Sequence, residues 1–461
     1  MIPRTLAEIA DAVGGSIHGP ADLVVSGPAY VDSRTPVDGG LFVAVVGEHV
    51  DGHQYADHAH AVLGSRPTGA PTIVVDDVVP ALGRLARHVV DRLDATVLAL
   101  TGSQGKTGTK DYLAGVLATL AGADRVVATA ANNNNEIGVP LTVLRATGDT
   151  AYLVVEMGAR GIGHIGYLCS IAPPDVAAVL NVGSAHVGEF GSREAIARAK
   201  GEIVESLAPS GVAVLNADDP LTTGMASRTA ARTVSFGTHG DVSWREVRLD
   251  ELGRPSFELG FDGQWHPVTL QQSGGHQVAN AAAAAAMAIA TGLAAADVAA
   301  ALSGVAAASP WRMEVGRRDD GMVVVNDAYN ANPESMRAAL EALVAIGRSG
   351  GRRTIAVLGE MKELGAEHLD GHRAVGRVAA ELGVDVVVVV GEAAAGISDG
   401  AQDVADAAPQ VVPVPGREEA VAWVRHNAGA GDAVLVKASR GAALEWVARQ
   451  LLDDADGRGE R

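Results

Sequence analysis

Eight nearly unbroken apolar runs recur along this chain of 461 residues, and they limit its fold more than any other property. They are VLAL at 97–100, AYLVV at 151–155, VAAVL at 176–180 and GVAVL at 211–215, then MVVV at 322–325, RTIAVL at 353–358, DVVVVV at 385–390 and DAVLV at 432–436. A strand that is apolar on both faces must be covered on both, and the segments between most of these runs carry a helical pattern. That combination predicts parallel sheets sandwiched by helices, in two separate groups. The length also exceeds one ordinary hydrophobic core, so several domains are expected. Residues 1–85 form a different block, with an amphipathic helix followed by short strands such as the one in LFVAVVG at 41–47. Polar, alternating sequence at 243–270 predicts a small antiparallel patch inserted before an alanine-rich helix at 280–302. Ser309 and Pro310 mark a short hinge. The expected class is α/β with three domains: residues 1–85, a central parallel-sheet P-loop-type ATPase domain at 86–310, and a doubly wound, Rossmann-like C-terminal domain at 311–461.

Charge narrows the function. The formal net charge of −19 argues against a general nucleic-acid or membrane-surface binder. An anionic ligand would have to be held by local positive groups, helix ends or metal ions. A lone cysteine, Cys169, excludes an intramolecular disulfide and suits a reducing compartment. The N-terminal stretch lacks the apolar core of a signal peptide, and the alanine-rich stretch carries Asp297, so membrane insertion is not expected and a cytoplasmic location is.

The first apolar run of the middle block leads into TGSQGKTGTKD at 101–111, with helical sequence expected from Lys110 onward. A glycine-punctuated turn between strand and helix aims backbone N–H groups at an anion. The full G-x-x-x-x-G-K-[ST] pattern is missing its first glycine, because Leu100 stands there, leaving the shorter form from Gly102 to Thr107. Glu156 ends one strand and His186 follows another, so both belong on the edge of the sheet that carries the turn. With Thr107, they form an oxygen- and nitrogen-bearing group suited to Mg²⁺. Lys200 lies on an amphipathic helix starting at Ser192, as either a solvated lysine or a phosphate contact. AANNNNEIGVP at 130–140 places four asparagines before a strand-like exit, either a polar loop or the lining of a polar ligand site. His276 and Asn280 are spaced to share one face of the next helix. VNDAYNANPESM at 325–336 packs Asp327, Asn330, Asn332 and Pro333 into a short turn, and Lys437 and Arg440 end the last strand. In the first block, Ser33, Arg34 and His53 stand among turn residues that suit an anionic ligand.

Taken in order, TGSQGKT, NNEIGVP, VEMGAR, NVGSAHVGEF, AKGEI, LNADDP and DAYNANPESM resemble the Mur ligases over nearly the whole chain. The shortened phosphate turn is similar to that family's own. YNANP paired with NNEIGVP resembles the member that adds a dipeptide, whereas the ligase adding the third amino acid would show DNPR in place of NANPESM. Departures from the family pattern are Ala131 for a frequent glycine, Gln277 for a frequent asparagine and Asn326 for a frequent aspartate.

The resemblance implies an ADP-forming ligase that joins D-alanyl-D-alanine to UDP-N-acetylmuramoyl-tripeptide through an acyl phosphate, making a peptidoglycan precursor. It implies that Gly102, Ser103, Gln104, Gly105, Lys106 and Thr107 cradle ATP, with Asn280 at the adenine and Arg312 and Asp327 reaching the nucleotide from the third domain. One Mg²⁺ would be held by Thr107 and Glu156, and a second by His186 and a Lys200 carbamylated by CO₂. Lys106, Lys200, His186 and Lys437 would be the catalytic set. Ser33, Arg34, Asn134, Asn135, Asn330 and Asn332 would touch substrate, with the first domain taking the uridine diphosphate. A monomer is expected. A related amide ligase, a folylpolyglutamate synthase or an ATP-gated switch protein are the rival readings.

Overall fold

The computed structural model describes residues 1–183, 190–404 and 408–453. Its largest sheet has nine strands, in the order Gln264–Thr269, Pro255–Phe261, Val242–Leu249, Arg232–Phe236, Val212–Asn216, Val176–Val179, Thr96–Thr101, Tyr152–Glu156, Val126–Ala128. From Val126–Ala128 to Arg232–Phe236 every pairing is parallel. The polar segment at 243–270 extends this same sheet at one edge: Val242–Leu249 meets Arg232–Phe236 in a single parallel pairing, and the two strands beyond it are antiparallel. Its alternating sequence fits a place where one face is half exposed.

The Thr96–Thr101 strand lies between Tyr152–Glu156 and Val176–Val179, so the turns leaving all three strands gather at one sheet edge. On one face pack the Lys106–Ala121 and Gln277–Ala290 helices, with Ala281 to Ala288 wholly buried. Those alanines allow a close helix–sheet approach. The alanine-rich stretch is two helices rather than one, because Gly292 adopts a left-handed φ of 94° and Ala295–Gly304 starts afresh after it.

The C-terminal sheet runs Glu314–Arg317, Val323–Asn326, Asp432–Lys437, Arg353–Leu358, Val386–Val390, Gln410–Val414, parallel except for the first strand. Sequence reasoning anticipated the four apolar strands and missed the two edge ones. Gln410–Val414 is half exposed and carries Pro413, which belongs on an edge strand because it offers no N–H to a further neighbour.

The N-terminal block has a five-stranded sheet, Ser16–His18, Thr72–Val74, Ala61–Gly64, Leu41–Val43, Ala29–Tyr30. The Leu6–Val13 and Val78–Val90 helices contact one another beside it. The second of these runs through residue 85 and is followed by the turn into Thr96–Thr101. Among the described residues no helix is long and apolar enough to cross a membrane.

Candidate active site

A cavity of about 1040 Å³ opens at the gathered strand ends and is lined from Asp77 to Arg440, drawing on all three blocks. Its floor is the turn after Thr96–Thr101. The helix begins at Lys106, four residues earlier than expected, because Gly105 takes a left-handed φ of 80° and caps it without a side chain. The first N–H groups therefore lack a side-chain cap, which is the arrangement that receives phosphate oxygens. A Cβ on Gly105 would sit 2.5 Å from Asn280 Oδ1, so glycine is required there for space as well as for backbone.

Asn181, which sequence reasoning passed over, holds the turn: its Oδ1 accepts from the N–H groups of Ser103 and Gln104, both at 3.0 Å. Ser103 Oγ in turn accepts from the Gly183 N–H at 2.8 Å. The legible signal was a lone amide directly after a fully apolar strand. Lys106 Nζ donates back to the Gly102 carbonyl at 2.7 Å, poised over the turn.

Glu156 lies at the end of its strand, 2% exposed, and receives Thr107 Oγ1 at 3.0 Å and Asn134 Nδ2 at 2.9 Å. A buried carboxylate beside a hydroxyl, next to a phosphate turn, offers the hard oxygen donors Mg²⁺ takes together with substrate phosphates. Among the described residues no group of three or more His, Cys, Asp or Glu gathers to form a metal cage. The donor set thus fits an ion shared with a nucleotide, not a self-contained centre. His186 lies outside the described residues.

The asparagine run does not exit into a strand. It leads into the Gly138–Val143 helix, and Asn135 Oδ1 accepts from Gly138 N–H at 2.9 Å, holding its start. Ala131, the alanine in place of the family's glycine, sits at a left-handed φ of 50°. Glycine suits that backbone, which is the physical content of the departure.

Lys200 is on the Arg193–Glu205 helix, capped by Ser192 as anticipated. The side chain is 5% exposed and lines the cavity, so it is not a solvated surface lysine. Burial first, and then the charge of Lys106, holds its ammonium well below the ordinary lysine range. The same helix is tied down by Glu202, whose carboxylate accepts from Gly163 N–H at 2.6 Å and Gly166 N–H at 2.9 Å.

On the opposite wall, Trp311 and Met313 adopt left-handed φ values of 59° and 50° around Arg312. That strained turn is pinned by Asp327, whose Oδ1 accepts from Met313 N–H at 3.0 Å while Oδ2 pairs with Lys437 Nζ at 2.5 Å. Lys437 also donates to the Asn330 carbonyl at 2.9 Å, so both it and Asp327 brace the wall they line. The Arg312 guanidinium stacks 4.1 Å from the Tyr329 ring, and Arg440 stacks 4.5 Å from Trp311. Asn332 caps the Pro333–Gly350 helix in a reciprocal pair with Ser335, and Asn330 Oδ1 accepts from the Ala331 N–H. Asn280 donates to Gln277 Oε1 at 2.9 Å beside the phosphate turn.

Ser33 and Arg34 do not reach this cavity. Arg34 is exposed and forms a fork with the Asp32 carboxylate at 2.9 and 2.7 Å. His53 is buried, its Nδ1 donating to Asp51 and its Nε2 accepting from the Ser65 N–H, so it braces the first domain and is not an anion contact.

A phosphate turn, a buried threonine–carboxylate pair and a buried lysine, faced across a cleft by a second parallel-sheet domain, are the parts of a nucleotide site that works between domains. Two family descriptions match, Mur ligase middle domain over residues 100–288 and Mur ligase, glutamate ligase domain over 311–440. The chain belongs to the Mur ligase family. It is 43% identical to the UDP-N-acetylmuramoyl-tripeptide–D-alanyl-D-alanine ligase of Mycobacterium bovis, over 98% of each chain. A MurF crystal structure from Acinetobacter baumannii superposes with a TM-score of 0.87 at 32% identity, covering 98% of this chain and 99% of that one. The MurF ligase of Thermotoga maritima in complex with ADP gives 0.80 at 31% identity, covering 94% and 99%.

Proposed function

We propose that this enzyme joins D-alanyl-D-alanine to UDP-N-acetylmuramoyl-tripeptide at the expense of ATP, making the pentapeptide precursor of peptidoglycan. The observation that carries the reading is the placement of Lys106, Thr107, Glu156 and Lys200 on one cavity that also receives Arg312, Asn330 and Arg440 from the facing domain. A carboxylate is a poor electrophile. Transfer of the γ-phosphoryl group to the tripeptide's terminal carboxylate gives an acyl phosphate, the dipeptide amine attacks that carbon, and phosphate departs. The uncapped start of the Lys106–Ala121 helix and the Lys106 ammonium stabilise the phosphate charge, and Arg312 and Arg440 add positive charge from the other side.

Thr107 and Glu156 would hold one Mg²⁺, and His186 and Lys200 a second. When bound, these ions neutralise phosphate charge that a protein of formal charge −19 resists. Burial and the charge of Lys106 lower the cost of removing the Lys200 proton, and an amine must lose its proton to add CO₂, so Lys200 would act as a carbamate. Asn280 faces the nucleotide base and Asp327 orders the wall beneath it. Asn134 positions Glu156, while Asn330 and the asparagine-rich turn meet the peptide. Residues 1–85, including Ser33 and Arg34, take the uridine diphosphate, residues 86–310 the ATP, and residues 311–461 the incoming dipeptide. The enzyme works as a cytoplasmic monomer.

The test is phosphate release from ATP with UDP-muramoyl tripeptide, with and without D-alanyl-D-alanine, at millimolar Mg²⁺. Release that requires both substrates, with a pentapeptide product by mass, is the expected result. Release with a single amino acid in place of the dipeptide would keep the family and change the substrate.

A further inference from the structure

The loop after the Arg353–Leu358 strand has no part in the chemistry above, yet one of its side chains, Glu363, lines the cavity. Glu363 adopts a left-handed φ of 65°. A residue with a side chain is held there only when its surroundings impose it, and such positions cluster at functional sites. The surroundings here do impose it. Gly359 N–H donates to the Lys437 carbonyl at 3.0 Å, Ser439 N–H to the Glu360 carbonyl at 2.9 Å, and Lys362 N–H to Ser439 Oγ at 2.9 Å. Met361 N–H donates to Nε2 of the wholly buried His372 at 2.9 Å. His372 Nδ1 gives its own hydrogen to the His368 carbonyl at 2.6 Å, which leaves Nε2 as an acceptor. Met361 and Leu364 are buried on either side, whereas Glu363 is exposed. A braced loop thus presents one carboxylate to the cleft.

The neighbouring loops indicate what it meets. The Arg353–Leu358 strand pairs with Asp432–Lys437, which pairs with Val323–Asn326. The three loops leaving them therefore lie side by side at the carboxyl end of the sheet, where such sheets bind ligands. Ser439 ties them together, since its Oγ also reaches the Ala331 carbonyl at 3.5 Å. Arg312, Lys437 and Arg440 make the charge of this wall largely cationic. Asp327, the other carboxylate that this domain brings to the cavity among the described residues, pairs with Lys437 inside the wall.

We propose that Glu363 receives the ammonium group of the incoming amino component and so selects an acceptor with a free amine over one with a hydroxyl. This rests on the reading of the enzyme as a dipeptide-adding ligase. The dipeptide arrives largely as a cation at its amino end, because a peptide α-amino group has a pKa of about 8. Arg312, Lys437 and Arg440 repel that cation, and a carboxylate among them offsets the repulsion. A charge-assisted hydrogen bond from the ammonium also fixes its direction. Glu363 belongs to the C-terminal domain, whereas the acyl phosphate forms against the phosphate turn of the middle domain, so the amine is held on the wall facing the carbon it attacks.

The experiment measures KM for D-alanyl-D-alanine, ATP and UDP-muramoyl tripeptide in wild type, Glu363→Gln and Glu363→Asp. It also measures the inhibition constant of D-lactyl-D-alanine, in which a hydroxyl replaces the ammonium. Glu363→Gln should raise the dipeptide KM by about tenfold or more, as expected for loss of a hydrogen bond between charged groups. The other two KM values and the inhibition constant of the hydroxyl analogue should change little, and Glu363→Asp, which keeps the charge, should recover part of the loss. An unchanged dipeptide KM overturns the proposal. So does a parallel rise for dipeptide and hydroxyl analogue, which would make Glu363 a brace for its own loop. Glu363→Gly relaxes the left-handed backbone while removing the carboxylate, so it should melt at or above the wild type and still show the raised dipeptide KM. A folded glycine variant with the wild-type KM also overturns the proposal. If the wild type ligates a single amino acid and not the dipeptide, the substrate reading fails by itself, and the same comparison with that amino acid and its hydroxy acid decides the role of Glu363. A wild type that ligates no amine overturns both.

Discussion

At the scale of single residues, Lys200 carries the sharpest expectations. Its buried ammonium titrates well below the unfolded value, so between those two values the unfolded chain binds more protons and stability rises with pH. In bicarbonate-free buffer at neutral pH, Lys200→Met should melt at or above the wild type, by about 2–4 °C per kcal/mol recovered. The gap should close as pH approaches about 10, where the unfolded lysine also loses its proton. Bicarbonate should raise the wild-type midpoint alone, and the variant should bind ATP without ligating. Glu156→Gln keeps the shape and one acceptor, for the Asn134 amide, turns an NH2 donor toward the Thr107 hydroxyl, which can accept it, and removes the charge. Its turnover should fall by roughly a hundredfold or more, read as a loss of Mg²⁺-dependent phosphate release with an unchanged thermal midpoint. Ala131 sits where a side chain is strained, so Ala131→Gly should leave the protein as stable or stabilise it by up to about 1 kcal/mol, checked by urea denaturation.

At the scale of elements, Asn332 is better understood through the helix it starts than through a ligand. It caps Pro333–Gly350 with Ser335, and Pro333 occupies the first turn, where its missing N–H costs nothing. Asn332→Ala should destabilise by about 1 kcal/mol, and Asn332→Ser or Asn332→Asp should recover most of that in a chemical denaturation series. A loss of activity in the alanine variant without loss of stability would return Asn332 to the substrate. The amide-rich turns divide in the same way: Asn135 starts a helix while Asn134 orients a carboxylate. Sequence density of asparagine located both turns, but each amide's partner depends on local chain direction. The strained turn at Trp311 and Met313 is a third instance, since nothing in SPWRM signals left-handed backbone. Its geometry is set by Asp327 and Lys437, far along the chain.

At the scale of the molecule, the cavity exists only because two parallel-sheet units and the helix after the first sheet face one another. Domains joined at a short strained seam are suited to opening and closing, and an acyl phosphate must be kept from water. Small-angle scattering should therefore record a fall in the radius of gyration when a non-hydrolysable ATP analogue and the tripeptide nucleotide bind together, and a smaller change with either alone. No change in any mixture would mean that the described arrangement is already the working one.

The apolar runs and the glycine pattern between them were enough to place two helix-covered parallel sheets, the phosphate turn, and Glu156 at the same edge. This is because strand periodicity and turn chemistry are local properties of the chain. The order of strands is another matter: Thr96–Thr101 becomes central only by pairing with Tyr152–Glu156 and Val176–Val179, tens of residues away. Whether Lys200 meets water or a cavity, whether His53 binds a ligand or braces Ser65, and whether Glu363 lines the cleft all depend on which surfaces pack together. Burial and hydrogen-bond partners are pairwise facts between distant segments, and no local pattern records them.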